Sequence, residues 1–352
     1  MNVARPMLTL GLLLAAGPAA AQESGNFLIR LGNDTTSVEH YSRTATQLVI
    51  DQTGRVPNVL RRHYEFTYDG RGAFQHLVVM VTLPSAKPGD APLQRLEMSP
   101  LGDSLALESH RGSAVQKFHI GVPPGTVIAP AGSPWSVYER ETMKFSHAKA
   151  DSLREPLYVI GYPGVGWMRL RRLGRDSVEF IDDHEDVFHV AVDRDGHVTG
   201  SLPVAGTQKF SVQRLPSLDV SAWAATFAAR EQAEGAMGQL STRDTLKVNA
   251  GGAALWIDYG RPAKRGREIF GNVVPYGVVW RTGANAATQF KTDRALQFGT
   301  TTVPAGFYTL WTIPSPGGWK LVVNSETGEW GTEHKPEKDL YTIPMTTSVL
   351  PQ

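Results

Sequence analysis

The chain has 352 residues, 35 Lys and Arg against 34 Asp and Glu, no cysteine, and a 41% apolar share that fits a water-soluble globular protein. Without sulfur there is no disulfide framework, zinc–thiolate site, iron–sulfur cluster or thiol nucleophile. Without a basic excess, nucleic acid is an unsuited partner, because its binding draws on clustered Lys and Arg against phosphates.

Residues 1–21 carry one basic residue, Arg5, then an apolar run from Met7, then Ala19, Ala20 and Ala21 before Gln22. This is the three-part pattern of a secretory signal peptide cleaved after Ala21, and it predicts a periplasmic or secreted protein. The run is broken by Gly17 and Pro18 and falls short of the roughly 20 apolar residues of a spanning helix, so no transmembrane segment is expected after cleavage. Cleavage would leave 34 basic and 34 acidic residues, a neutral chain.

Residues 22–215 predict an N-terminal domain of antiparallel strands with one buried face, because short apolar alternations recur between turn residues. Within 62–68, Tyr64, Phe66 and Tyr68 share one face while His63, Glu65 and Thr67 share the other. Within 187–193, Phe188, Val190 and Val192 oppose His189 and Ala191, and Asp195-Gly196 then supplies a hairpin turn. Further strands are expected at 27–31, 76–83, 105–110, 115–120, 157–162, 167–173 and 209–213. Residues 216–244 read as a helical connector. Asp219 or Ser221 can cap its start, Trp223 and Phe227 share a face, and Gly235 or Gly238 can end it. From 245 to 352 strands resume, at 254–259, 288–291, 307–313 and 319–324, separated by Gly and Pro loops rather than helices. The fold class expected is therefore mainly β, two sandwich- or barrel-like antiparallel domains joined by one α-helix.

Within the last third, Asp258-Tyr259-Gly260-Arg261-Pro262, Lys264-Arg265-Gly266-Arg267, Val274-Pro275-Tyr276-Gly277 and Trp280-Arg281-Thr282-Gly283-Ala284-Asn285 stand in series, followed by Pro304-Ala305-Gly306, Trp330-Gly331 and Lys338-Asp339. This series resembles the DUF2911 family of exported bacterial proteins; the first two thirds resemble no family. The resemblance implies a β-domain and names no reaction. Two departures stand out. The family often carries an acid after its Gly-Ala-Asn triplet, where this chain has Ala286, so no general acid is assigned there. The family pattern also runs on by one strand past the segment matching Pro351-Gln352, which implies a domain cut short at its C-terminus with an open sheet edge.

The candidate site lies in this region. Arg261, Lys264, Arg265 and Arg267 put four positive charges in seven residues, and Trp280, Arg281, Thr282 and Asn285 form a donor-rich loop. Guanidinium forks pair with carboxylate or phosphate. Arg261, Lys264, Arg267, Trp280, Arg281, Thr282 and Asn285, with Tyr259 and the loop tryptophan Trp330, are therefore the candidate ligand-binding set. Trp256, Trp311 and Trp319, in predicted strands, are expected in the core. Gly102-Asp103-Ser104-Leu105 spells an esterase signature, but the chain's one Asp-x-x-His, Asp186 to His189, lies mid-chain and not near the C-terminus, where that esterase family places its partner. His184 and His189, beside Asp182, Asp183, Glu185 and Asp186, would point to opposite faces of a strand, so a polar turn is expected and no metal site. No cofactor is called for.

Two function classes follow. The first is a periplasmic binding or scaffold module for an anionic or sugar-like ligand, a small molecule or a cell-envelope glycan. The alternative is an envelope hydrolase or lyase built from Tyr259, Lys264, Arg281 and His334. A further possibility is that the curved N-terminal sheet encloses a lipid.

Overall fold

The computed structural model describes residues 22–130, 132 and 134–348; the expected signal peptide lies outside them. From the start, apolar alternation and tight turns make each strand fold back on the one before. Successive hairpins join β1 (Glu23–Leu31), β2 (Asp34–Arg43), β3 (Gln47–Gly54), β4 (Leu60–Tyr68), β5 (Phe74–Thr82), β6 (Gln94–Leu101), β7 (Ser104–Arg111) and β8 (Ala114–Gly121). The chain then crosses to β9 (Val127–Ala129) and helix α1 (Trp135–Ser146). It returns through β10 (Ser152–Val159), β11 (Gly166–Arg172), β12 (Ser177–Asp182), β13 (Val187–Val192), β14 (Val198–Ala205) and β15 (Phe210–Leu215).

These form one sheet of 15 strands in the order β8-β7-β6-β5-β4-β3-β2-β1-β15-β14-β13-β12-β11-β10-β9. Every pairing is antiparallel except β9 with β10, whose crossover is α1. An open sheet this wide curls. Leu105 near one edge, Phe27 at the centre and Leu157 near the other share one core with Trp135, Val137 and Phe145 of α1, so the sheet wraps the helix. β8 and β9 remain unpaired with each other, and the barrel is open.

The alternations in the sequence match this burial. Tyr64, Phe66 and Tyr68 are buried while Glu65 and Thr67 face solvent, and Phe188, Val190 and Val192 are buried opposite exposed His189 and Ala191. The helix α1 corrects the expectation of one helix. Its N-terminus has no side-chain cap of its own; instead the buried Glu39 carboxylate on β2 accepts from Trp135 N at 3.1 Å and Ser136 N at 2.8 Å. Its Glu139, fully buried, accepts from the Tyr41 hydroxyl, Arg43 at 3.0 Å, the Arg214 guanidinium and Val198 N at 2.8 Å.

The second helix, α2 (Val220–Glu234), follows the sequence reading closely. Asp219 caps it, accepting from Ser221 N at 2.8 Å and Ala222 N at 3.0 Å, and Gly235 ends it at φ 83°. Val220, Ala224 and Phe227 form its buried stripe, against β2 and β3.

Beyond it, β16 (Ser241–Ala250) begins inside the expected connector. It pairs in antiparallel order with β17 (Ala253–Pro262), β18 (Thr288–Thr292), β21 (Gly306–Ile313), β22 (Trp319–Asn324) and β23 (Asp339–Met345), while β19 (Leu296–Phe298) and β20 (Thr301–Val303) form a separate hairpin. Phe290, Val303, Tyr308, Val323 and Ile343 form its main core, and Trp311 a smaller one with Ala287 and Val322. Trp311 is buried as expected, whereas Trp256 and Trp319 are half-buried, packed edge-on against Phe307 and Phe270.

Candidate functional site

The segment between β17 and β18, residues 263–287, is a long excursion from the second sheet, and several contacts fix it. Trp280 exchanges backbone hydrogen bonds with Thr312 at 2.7 and 2.8 Å. Thr288 N donates to the Arg281 carbonyl at 3.2 Å, and the Thr288 hydroxyl donates to the Thr282 carbonyl at 3.0 Å. Arg243 on β16 donates to the carbonyls of Ala286 and Ala287, both at 3.0 Å. Gly260 and Gly331 let the loop pack closely: a Cβ on Gly260 would overlap the Ala284 backbone, and one on Gly331 would overlap Arg281 Cδ and the Asn285 carbonyl.

Three residues of this segment hold left-handed backbone without being glycine, Arg265 at φ 49°, Thr282 at φ 55° and Asn285 at φ 60°. Asn tolerates this region; β-branched Thr does so at a cost of about 1–3 kcal/mol. The Thr282 hydroxyl bonds Thr312 Oγ1 at 3.1 Å, which helps hold the conformation. The turn aims Arg281 away from its own sheet, toward the first.

Polar and ring contacts tie the two sheets together. Arg265 bonds Asp34 at 2.8 Å, and its carbonyl accepts from Asn33 N at 3.1 Å. Thr332 Oγ1 donates to the His184 carbonyl at 3.1 Å, and the Trp330 ring stands edge-on to His184 at 6.1 Å. At this junction lies a recess of about 300 Å³, lined from the first sheet by Leu31, Lys209 and Phe210 and from the second by Arg267, Arg281 and Asn285.

Three cations therefore face one space. Burial, then the charges of Arg281 and Arg267, lower the Lys209 pKa, with Asp186 acting the other way. Burial also lowers the pKa of Arg281 and of Arg267, and Arg265 adds to the effect on Arg267. Arg267 donates to the carbonyls of Ala263 and Lys264. Neither the Lys209 ammonium nor the Arg281 guanidinium bonds any described residue, and Arg281 Nε is buried without a partner. The nearby carboxylate, Asp186, is itself occupied: Oδ1 accepts from Thr207 N, from Gln208 N at 2.8 Å and from Thr207 Oγ1 at 3.3 Å.

Of the candidate residues, the recess brings together Arg267, Trp280, Arg281 and Asn285. Arg261 is exposed and paired with Asp244 at 2.8 Å, Lys264 is exposed, and Tyr259 lies half-buried on β17 opposite Asp244. The Thr282 side chain serves the loop, and Trp330 packs between the sheets. Trp280 is held edge-on by Phe270 at 5.9 Å and Trp319 at 6.2 Å. Lys209 is the residue that the motif reading missed; it stands in the turn between β14 and β15 of the first sheet, and nothing in its sequence neighbourhood marks it. Elsewhere, Ser104 Oγ donates to the Leu101 carbonyl in a hairpin turn. Asp182 Oδ1 accepts from His184 N and Asp186 N, both at 3.0 Å, the polar turn expected there, although Asp182, Asp183 and His184 each offer an atom within 4.8 Å of the others.

Among the described residues no helix is long and apolar enough to cross a membrane. No curated protein matches the chain. Among solved structures, a DUF1089 family protein from Pseudomonas aeruginosa is similar at 14% identity and TM-score 0.33, covering 56% of this chain and 95% of its own. A β-barrel-like protein of domain of unknown function DUF1849 from Brucella abortus is similar at 8% identity and TM-score 0.35, covering 55% and 94%. The N-terminal region matches no family, and the C-terminal third, residues 241–352, matches the family described as "Protein of unknown function (DUF2911)".

Proposed function

We propose that the protein is an exported, periplasmic or secreted, binding module whose ligand is anionic and sits in the recess between the two sheets. The observation that carries this reading is the convergence of Lys209, Arg267 and Arg281 on one space, with neither the Lys209 ammonium nor the Arg281 guanidinium bonded to a described residue. Both groups are partly desolvated, and charge-assisted hydrogen bonds to a bound anion would offset that loss of hydration. The strained Thr282 backbone that presents Arg281 supports the same reading. An anionic ligand is favoured over a neutral sugar because the rings of Trp280 and Trp330 are already packed against Phe270, Trp319 and His184. The hydrolase or lyase alternative finds less support: Tyr259, Lys264 and His334 do not line the recess that holds Arg281, and His334 bonds Asp339 at 2.9 Å.

Isothermal titration of the whole protein with inorganic phosphate and with an oligosaccharide of uronic acids tests the proposal. Arg281→Ala and Lys209→Met are each expected to weaken the better of these ligands at least tenfold, about 1.4 kcal/mol. Unchanged affinity in both variants would remove the recess as the site.

A further inference from the structure

A second cavity of about 390 Å³ lies within the curve of the first sheet. Its walls include Ile29, Trp135, Tyr138, Phe180, Phe188 and Phe210. The rings stand edge to face, Trp135 with Phe188 at 5.7 Å, Trp135 with Tyr138 at 5.8 Å and Tyr138 with Phe180 at 5.2 Å. The rings give the wall apolar area, interrupted by the polar side chains of Thr36, Ser37, Gln52, Arg62, Asp182 and Gln208. The volume falls in the range of small-molecule sites, about 300–1,000 Å³.

This cavity and the cationic recess adjoin. Val56, Gln208, Phe210 and Leu240 line both. Three of these come from loops and strand ends of the first sheet, while Leu240 lies on the connector just before β16. Lys209 and Arg281 thus stand at one end of a continuous surface and the aromatic rings, with Arg62 and Asp182 beside them, at the other.

We infer that the two spaces form one site for an anionic amphiphile, its acidic head between Lys209 and Arg281 and its apolar tail against Trp135, Phe180 and Phe188. The inference rests on the anion-binding reading of the recess and adds the tail. Each element contributes one part of the recognition: α1 the aromatic wall, the β14–β15 turn and the 263–287 loop the charges, and the connector the passage between them. The arrangement also gives a reason for α1 to lie inside the sheet with Trp135 and Tyr138 at its first turn, since these rings separate the closed core from the cavity.

The test is calorimetric titration of the whole protein with inorganic phosphate and with butyl, hexyl and octyl phosphate, each below its micelle concentration and at one ionic strength. Burying each added methylene is expected to tighten binding roughly three- to fourfold, so octyl phosphate should bind about a hundredfold more tightly than butyl phosphate. Arg281→Ala should weaken all four ligands by a similar factor. Ser37→Trp, in the wall of the second cavity and not of the recess, should flatten the chain-length series and leave inorganic phosphate binding unchanged. A flat series in the unaltered protein, with affinity still lost in Arg281→Ala, overturns the amphiphile and leaves the anion recess standing. A rising series indifferent to Arg281→Ala overturns the shared site and the anion recess together, as does the absence of binding by every ligand. The series measured on the unaltered protein decides between these outcomes whether or not Ser37→Trp folds.

Discussion

Arg281 can reach the recess because residue 331 has no side chain. A Cβ at Gly331 would occupy the space of Arg281 Cδ and the Asn285 carbonyl, so Gly331→Ala must displace one or both. Overpacking of this kind costs about 1–3 kcal/mol. The variant is expected to melt several degrees lower and to lose at least tenfold in phosphate affinity; normal melting and normal binding would show that the close approach is not needed. At this scale the sequence is partly legible. The Trp-Arg-Thr-Gly-Ala-Asn run announces a donor-rich loop, since packing alone has little use for Arg, Thr and Asn together. The left-handed backbone of Thr282 is hidden, because propensity disfavours it and the bonds to Thr312 and Thr288 sustain it. Lys209 is hidden for another reason: its neighbours in the recess are brought to it by tertiary contact between sheets.

The two helices show how far periodicity carries. Helix α2 lies on the outside, with an Asp cap, a Trp223–Phe227 ring pair 5.3 Å apart and a terminal Gly235, and each of these signals stands in the sequence. Removing the cap by Asp219→Ala is expected to cost about 1 kcal/mol, seen as a small drop in melting temperature, with phosphate affinity unchanged. A loss of binding instead would mean that α2 positions the recess through the connector. Helix α1 gives no comparable signal. Seven of its residues are buried, among them Glu139, Glu141 and Thr142, so no polar stripe contrasts with an apolar one. Its capping group, Glu39, comes from β2. The strands are legible where one face meets solvent, as in β4 and β13. They escape a periodicity reading where polar residues face inward, as in β2, whose Glu39 and Arg43 are buried, and along β16, which is exposed over most of its length.

For the whole molecule, buried acids set the response to pH. Burial pushes Glu39 and Glu141 up to about 7 from 4.5, and Asp182 up to about 6 from 3.8. Between the unfolded and folded values the folded protein holds more protons, so this contribution is complete below about pH 4 and is lost as pH rises through 6 to 7. Glu23 and Asp51 act oppositely: hydrogen bonds from Arg43 and His63 lower their pKa values, and that stabilisation is lost as pH falls through the lowered values. Thermal stability is therefore expected to peak on the acid side of neutrality, near pH 5. Glu39→Gln should flatten the decline between pH 5 and 7, by on the order of 3 kcal/mol at most. A melting profile that rises steadily to pH 8 would contradict this.

The division into a curled sheet of 15 strands and a second sheet of six explains why the proposed site could not be read from one motif: half of it belongs to each sheet. Its most direct test is a difference electron-density map from crystals of the whole protein grown with octyl phosphate. The account predicts the phosphate within hydrogen-bonding reach of the Arg281 guanidinium and Lys209 Nζ, with the chain running past Leu240 toward Trp135 and Phe188. A ligand ordered elsewhere, with both cations still unbonded, would contradict it.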